Sequence, residues 1–380
     1  MSDKSLRPQS CTILGKTYSL PIYLPDATLG VVRGLSSSQV AEAGIQGVVI
    51  NTYHLMSRPG TEVLDAVGGI KPFMNWQGLT ASDSGGFQLF SLIHKNPKIG
   101  RITDEGVVLY SGERQQKKTL FTPEKSIEVQ FSIQSDIKIC LDDFSPIDST
   151  PERLKESVER TIEWARRCKN EFEKQCALHG FTEENRPLLF SVIQGHRDYP
   201  LREYCAKELI KIGFDGYGLG GWPFDENGKF DYEMCRVTAD VIPHDAFRFA
   251  LGIGSPENIL QLRAMGWDIF DCVLPTRDAR HERLYVFTQN PETLDFAELM
   301  KVNTEEKATW YNYLYIGKGM FKNDTAPLSA WCTCSTCQNH SRSYINHLFT
   351  VKDNLAFQLA TTHNLHFYAE LMRLLGKVSA

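Results

Sequence analysis

The chain has 380 residues, of which 42% are hydrophobic, 11% aromatic and 23% charged, an ordinary globular composition that excludes a disordered or collagen-like chain. At about 150 residues per domain this length suggests two or three units, although a single α/β barrel can exceed roughly 250 residues. With 41 Lys+Arg against 46 Asp+Glu the formal net charge is -5, so contact with nucleic acid must come from a local patch and not a global field.

No apolar run reaches the roughly 18 residues of a membrane span, and the opening MSDKSLRPQS lacks the apolar core of a secretory signal. Seven of the ten cysteines are scattered singly, as reduced thiols are, and not spaced as a disulfide framework. A soluble cytoplasmic protein is expected.

From residue 25 to 275 short β-rich runs alternate with longer helical patterns. Strands are expected at 28–32, 47–51, 78–82, 136–141, 188–193, 215–220, 247–252 and 268–273. Helical stretches lie between most of them, among them SSQVAEAG, PEKSIEVQFSIQ and the amphipathic run that starts at Pro151. Such βα repetition argues for a parallel sheet, and eight strands is the number that closes a (β/α)8 TIM barrel. An open doubly wound sheet is the alternative. Residues 91–121 interrupt the regularity and read as a strand pair with charged loops. After 275 the alternation stops: 292–302 and 305–314 read as helices, followed by a cysteine cluster and a helical tail near 353–377. The expected organisation is a barrel over 12–290 with a helical zinc-binding subdomain over 291–380 packed on it. Trp267 and Trp331 read as core residues.

Cys332, Cys334 and Cys337 form C-x-C-x-x-C, and His363 follows on the helical tail. Three thiolates and an imidazole make the closed tetrahedral set of a structural zinc ion, and soft sulfur favours zinc over magnesium or calcium. His340, His347 and His366 also stand near, so spacing leaves the fourth ligand open.

In a parallel barrel the chemistry collects at the C-terminal ends of the strands. Those ends read Asp83 in SDSGGFQ (82–88), Asp142-Asp143, Gln194-Gly195, Gly220-Gly221, Gly252-Ile253-Gly254 and Asp271 in FDCVLPTR (270–277). Carboxylates from separate strands suit two-carboxylate glycosyl chemistry, one attacking an anomeric carbon while the other moves a proton. A carboxylate, an amide and bare glycine N–H groups also suit the edge of a guanine-like base.

These motifs, with Asn51-Thr52-Tyr53-His54-Leu55, Arg58-Pro59-Gly60, TPEKSIEVQ (122–130) and HNLHF (363–367), resemble the queuine/archaeosine tRNA-ribosyltransferases, the tRNA-guanine transglycosylases. The resemblance runs in collinear order from about residue 12 to 375. It implies a TIM barrel with one structural Zn2+ per chain, and a homodimer. It also implies exchange of guanine for a 7-deazaguanine at the wobble position of a tRNA anticodon stem-loop, in queuosine biosynthesis. On this match Asp271 is the nucleophile and Asp83 the general acid/base. Phe87 stacks on the base, Asp142, Gln194, Gly220, Gly221, Trp222 and Glu226 bind it, and Arg277 and Arg280 lie near the RNA backbone. Cys332, Cys334, Cys337 and His363 are the metal ligands.

The sequence also departs from the family. Phe144 and Phe224 stand where small residues line the space around the 7-substituent, and Arg280-His281-Glu282 adds a negative charge near the RNA path. The expected incoming base is 7-aminomethyl-7-deazaguanine. A queuine-inserting salvage enzyme, a relative acting on DNA and a non-catalytic RNA-binding partner subunit are the rival readings.

Overall fold

The computed structural model describes residues 7–111, 117–301 and 308–378. Eight short strands carry the architecture: β1 (Ile22–Pro25), β2 (Gly47–Asn51), β3 (Leu79–Asp83), β4 (Ile137–Ile139), β5 (Leu188–Ile193), β6 (Gly216–Leu219), β7 (Phe247–Ala250) and β8 (Ile269–Cys272). They form one parallel sheet in the order β1-β8-β7-β6-β5-β4-β3-β2. The two ends of that row meet through a parallel bridge between Asp26 and Val49 and a 2.7 Å bond from the Ala27 N–H to the Val49 carbonyl. The sheet is therefore a TIM barrel and not an open doubly wound sheet.

Because helices cover the outside and side chains fill the inside, β1, β2, β4 and β6 are buried at every residue. Leu24, Val49, Leu79, Ile137, Phe190, Phe249 and Ile269 share one apolar cluster, which the N-terminal hairpin (Ser10–Ile13 with Lys16–Ser19) joins through Ile13 and Tyr18. The outer helices start on one repeated device. Thr122, Thr150 and Ser255 each accept an N–H of the first helical turn, and a proline follows at once. Each such cap is worth about 1 kcal/mol, and the proline loses no helical hydrogen bond at that position.

Five expectations need correction. The first strand is Ile22–Pro25, not 28–32. Residues 27–30 turn instead, with the Gly30 N–H bonded to the Ala27 carbonyl, and Leu29 and Val31 are exposed. Four residues ending in proline make a faint strand signal beside the β-branched TLGVV, yet proline is tolerated where the ladder stops. The segment 91–121 begins inside a helix, Gly86–Lys95, and continues as a three-stranded antiparallel sheet of Gly100–Thr103, Gly106–Ser111 and Lys117–Phe121, with 112–116 outside the described residues. Of the expected helix at 305–314, residues 305–307 lie outside the described residues. Tyr311–Tyr315 is instead a strand paired antiparallel with Arg283–Phe287. Its aromatic residues have high β propensity and find a cross-strand partner, Tyr285 against Tyr313 at 5.2 Å.

Within 292–302 the described residues hold only short pieces, the 3-10 turn Pro291–Thr293 and the helix Phe296–Leu299. The chain ends on a long helix, Asn354–Lys377, that packs on the Leu274–Arg280 helix following β8. Its Phe367, Tyr368 and Leu371 belong to the same apolar cluster as Tyr23, Trp267 and Phe270 of the barrel. Trp267 is core, whereas Trp331 is 45% exposed beside the cysteine cluster. Among the described residues no helix is long and apolar enough to cross a membrane.

Candidate active site

The strand ends deliver their polar residues to one rim. Asp83 closes β3, and its carboxylate accepts from Asn51 Nδ2 at 2.8 and 2.9 Å, the Gly85 N–H at 2.7 Å and Gln88 Nε2 at 3.3 Å. Asn51 closes β2 and is itself held, since its Oδ1 accepts from the His54 N–H at 2.9 Å. Gly85 takes φ +80°, and a Cβ there would meet the Tyr53 Cβ at 2.7 Å, so the turn that aims its N–H at Asp83 requires glycine. Burial pushes the Asp83 carboxyl up to about 6; the donors from Gly85, Asn51 and Gln88 oppose the rise and the charge of Asp26 adds to it.

Asp271 lies in β8 and accepts from the Gly252 N–H through Oδ1 at 2.8 Å. Burial pushes its carboxyl up to about 7 against that bond, with the charges of Asp83 and Asp26 adding to the shift. Asp142 follows β4 and accepts from Gln194 Nε2 at 2.6 Å. Burial pushes it up to about 7 as well, against the Gln194 bond and with help from the charges of Asp143 and Asp83. The charge of Asp83 thus raises both other carboxyls. Asp143 has another role. It is fully buried and paired to Arg153 at 2.7 Å and Arg160 at 2.5 Å on the Pro151–Leu178 helix, which ties down the loop that presents Asp142.

Around the carboxyls stand the base-binding candidates. Phe87 is 49% and Trp222 45% exposed, as rings must be if a base is to stack on them. Phe144 and Phe87 meet edge to face, ring centroids 5.1 Å apart. Phe224 instead packs between Trp222 and Phe230 within its own loop, each at 5.4 Å. Gln194 is buried, with Nε2 on Asp142 and Oε1 unpartnered. The Gly220 N–H donates to the Ile193 carbonyl and its own carbonyl accepts from Arg202 Nη2, so that backbone is already committed, next to Gly221. Glu226 is exposed on a turn closed by Asp225 and is not drawn into the carboxyl cluster.

Arg277 is exposed on the helix after β8, and Arg280, one turn on, donates to the Thr276 carbonyl at 2.9 Å. Burial, then the positive charge of Arg33, holds the Arg280 guanidinium below its ordinary range, which places Arg33 in the same basic cluster. The Glu282 carboxyl lies over Gly317.

The cysteine cluster forms a second site. His363 Nδ1 lies 3.5, 3.7 and 3.3 Å from the sulfurs of Cys332, Cys334 and Cys337, and the four ligand atoms fall within 4.8 Å of one another. A tetrahedral ion with metal–sulfur bonds of about 2.3 Å and a metal–nitrogen bond of about 2.0–2.1 Å would separate nitrogen from sulfur by roughly 3.6 Å. The residues fit. His363 Nε2 donates to the Tyr285 carbonyl at 2.8 Å, which leaves Nδ1 as the ligand atom. His366 contacts Thr333 Oγ1 and His340 stacks on Tyr344, so neither competes.

A family model described as queuine tRNA-ribosyltransferase matches residues 4–377. The chain belongs to the queuine tRNA-ribosyltransferase family. It is 36% identical to the queuine tRNA-ribosyltransferase of Desulforapulum autotrophicum over 352 residues, 93% of this chain and 85% of that one. The enzyme of that name from Caldanaerobacter subterraneus subsp. tengcongensis is 37% identical over 352 residues, 93% of this chain and 84% of its own length. That of Staphylococcus haemolyticus is 36% identical over 356 residues, 94% and 84%. As a member of the queuine tRNA-ribosyltransferase family the protein is a pentosyltransferase, and the match spans both the carboxyl cluster and the four cysteine and histidine ligands.

Several residues of this family member escaped the strand-end reading. Asp26 raises both Asp83 and Asp271, but it follows β1, and a first strand placed at 28–32 hides it. Arg33 is lost by the same displacement. Asn51 ends β2 and was recoverable by the rule that found Asp83. His196 and Arg202 carry no local signal: the first reaches the Ser145 carbonyl in the loop after β4, and the second the Gly220 carbonyl after β6.

Proposed function

We propose that the protein is a tRNA-guanine transglycosylase, replacing guanine at the anticodon wobble position by a 7-deazaguanine through a ribosyl-aspartate intermediate. The observation that carries this reading is that Asp83 and Asp271, from separate strand ends on one barrel rim, lie close enough for the charge of Asp83 to raise the Asp271 carboxyl, in a member of this family.

The chemistry follows from the arrangement. The target nucleotide leaves the stack and its base lies on Phe87, where Asp142 accepts from N1–H and the exocyclic amine. Gly252 holds Oδ1 of Asp271, and Oδ2 bonds to C1′ as the C1′–N9 bond breaks. Guanine leaves with a proton from Asp83, whose pKa, raised to about 6, leaves a fraction of the carboxyl protonated near neutrality. The incoming base returns its own N9 proton to Asp83, bonds to C1′ through N9 and releases the Asp271 carboxylate. Two inversions retain the configuration at C1′, and no nucleotide triphosphate is consumed. The favoured base is 7-aminomethyl-7-deazaguanine, because Phe144 crowds the space that a bulky 7-substituent would enter.

Zinc is the ion assigned to the cysteine cluster; four protein ligands leave no open position, so it staples the 332–337 knuckle to the C-terminal helix. The same reading makes the 291–380 unit a brace for the barrel and the enzyme a cytoplasmic homodimer, the latter checked by light scattering. The deciding experiment is single-turnover incubation with anticodon stem-loop RNA. A denaturant-resistant protein–RNA adduct is expected with the unaltered protein and not with Asp271→Asn. Absence of an adduct together with absence of guanine exchange would leave the non-catalytic reading. Competition among guanine, 7-cyano- and 7-aminomethyl-7-deazaguanine and queuine then identifies the base and separates the biosynthetic enzyme from the salvage enzyme.

A further inference from the structure

His196 is buried, two residues beyond Gln194, and its backbone takes φ +42°, a left-handed conformation that is uncommon for a residue with a side chain. Such a conformation persists where the surroundings hold it. Here both ring nitrogens are engaged across the barrel rim. Nε2 lies 2.5 Å from the Ser145 carbonyl in the loop after β4, and Nδ1 lies 3.4 Å from the Trp222 N–H in the loop after β6. A carbonyl only accepts and an amide only donates, so the ring is neutral with its proton on Nε2. Neither loop presents a titratable group to it through these contacts. The charged group facing it is the Arg202 guanidinium, which is itself bound to the Ile193, His196 and Gly220 carbonyls and, with burial, disfavours a second positive charge. Gly221 makes the close approach possible: at φ +88°, a Cβ there would stand 3.1 Å from His196 Nδ1 and 3.3 Å from Arg202 Nη2. Phe144 makes edge-to-face contacts with the imidazole, centroids 6.1 Å apart, and with Phe87, 5.1 Å apart.

We propose that His196 is a positioning residue for base selection, a neutral clip that joins the β4 and β6 loops, holds Phe144 against Phe87 and so restricts the pocket to bases with a small 7-substituent. This rests on the transglycosylase reading. The imidazole touches neither the sugar nor the departing base, and it acts through Phe144, Gly221 and Trp222.

The test compares the full-length protein with His196→Gly, which removes the ring while suiting the left-handed backbone, and His196→Asn, which tolerates that backbone and keeps polar atoms. The expected result for His196→Gly is a KM for 7-aminomethyl-7-deazaguanine raised about tenfold, kcat within about threefold, and discrimination against queuine reduced at least tenfold, with partial rescue in His196→Asn. In the unaltered protein, the imidazole nitrogen resonances should show a neutral ring protonated on Nε2 at pH 6.5. An unchanged ratio of small to bulky base in His196→Gly, or a ring protonated on Nδ1, would overturn the proposal while guanine exchange continues. Absence of guanine exchange by the unaltered protein would instead overturn the parent reading, and base selection with it.

Discussion

The carboxyl pocket and the cysteine knuckle both crowd acid groups into a small volume, and they resolve the resulting repulsion in opposite ways. In the knuckle, three thiols and an imidazole converge on one point at distances that suit a shared cation, and the second nitrogen of His363 is anchored to Tyr285. In the pocket, no arginine or lysine pairs with Asp83, Asp142 or Asp271 among the described ion pairs, and each carboxyl is pushed up toward neutrality. Asp143, one residue from Asp142, shows that the fold can supply two arginines where a carboxylate is only structural. A bound cation would compensate the knuckle fully and make it an inert staple, whereas the pocket carboxyls stay uncompensated, with pKa values raised toward neutrality.

That contrast can be broken most severely at Asp271. Asp271→Asn should lower guanine exchange by roughly 10⁴-fold or more, measured with labelled guanine, because the covalent step is lost. Removing the metal should act on stability instead. Chelation, or Cys337→Ser, is expected to lower Tm by on the order of 10 °C in a calorimetric scan, while single-turnover rates at a permissive temperature change little. A rate loss preceding any loss of stability would contradict the separation of the two sites. Asn51→Ala removes the amide nitrogen that donates to both oxygens of the Asp83 carboxylate, so kcat should fall about tenfold and the Asp83 limb of the pH–rate profile should move up.

The smallest effect concerns stability. The folded-state pKa of Asp271 is raised to about 7, above that of the unfolded chain, so its contribution is fully present below about pH 4 and is lost as pH rises through about 7. Asp271→Asn should therefore match the unaltered protein in Tm at or below about pH 4 and exceed it by about 2 °C at pH 8. Exchange needs Asp271 without its proton and Asp83 with one, so the rate should pass through a maximum between about pH 6 and 7 and fall on either side.

Much of the site was legible because a parallel barrel turns a one-dimensional rule into a spatial one: residues at successive strand ends meet on one rim. Asp83, Asp142, Gln194 and Asp271 follow from that rule. Asp26 and Arg33 do not, since the four residues of β1 end in proline and give a weaker pattern than the exposed turn after them. Tyr311–Tyr315 misled in another way, as its pairing partner lies upstream at Arg283–Phe287 and no local period announces it. Glu226 was placed by register alone, and the turn around Asp225 leaves it exposed.

What the amino-acid order determined by itself is short-range: the alternation of strand and helix, the capped helix starts at Thr122, Thr150 and Ser255, and three sulfur ligands within six residues. These are consequences of covalent spacing and backbone preference over a few residues. Packing decided the rest. It selected His363 from four nearby histidines by docking one long helix, set Asn51 on Asp83 across two strands, joined two loops through His196 and withdrew three carboxyls from water. Such effects depend on burial and on partners tens to hundreds of residues away, and no local window of a chain contains them.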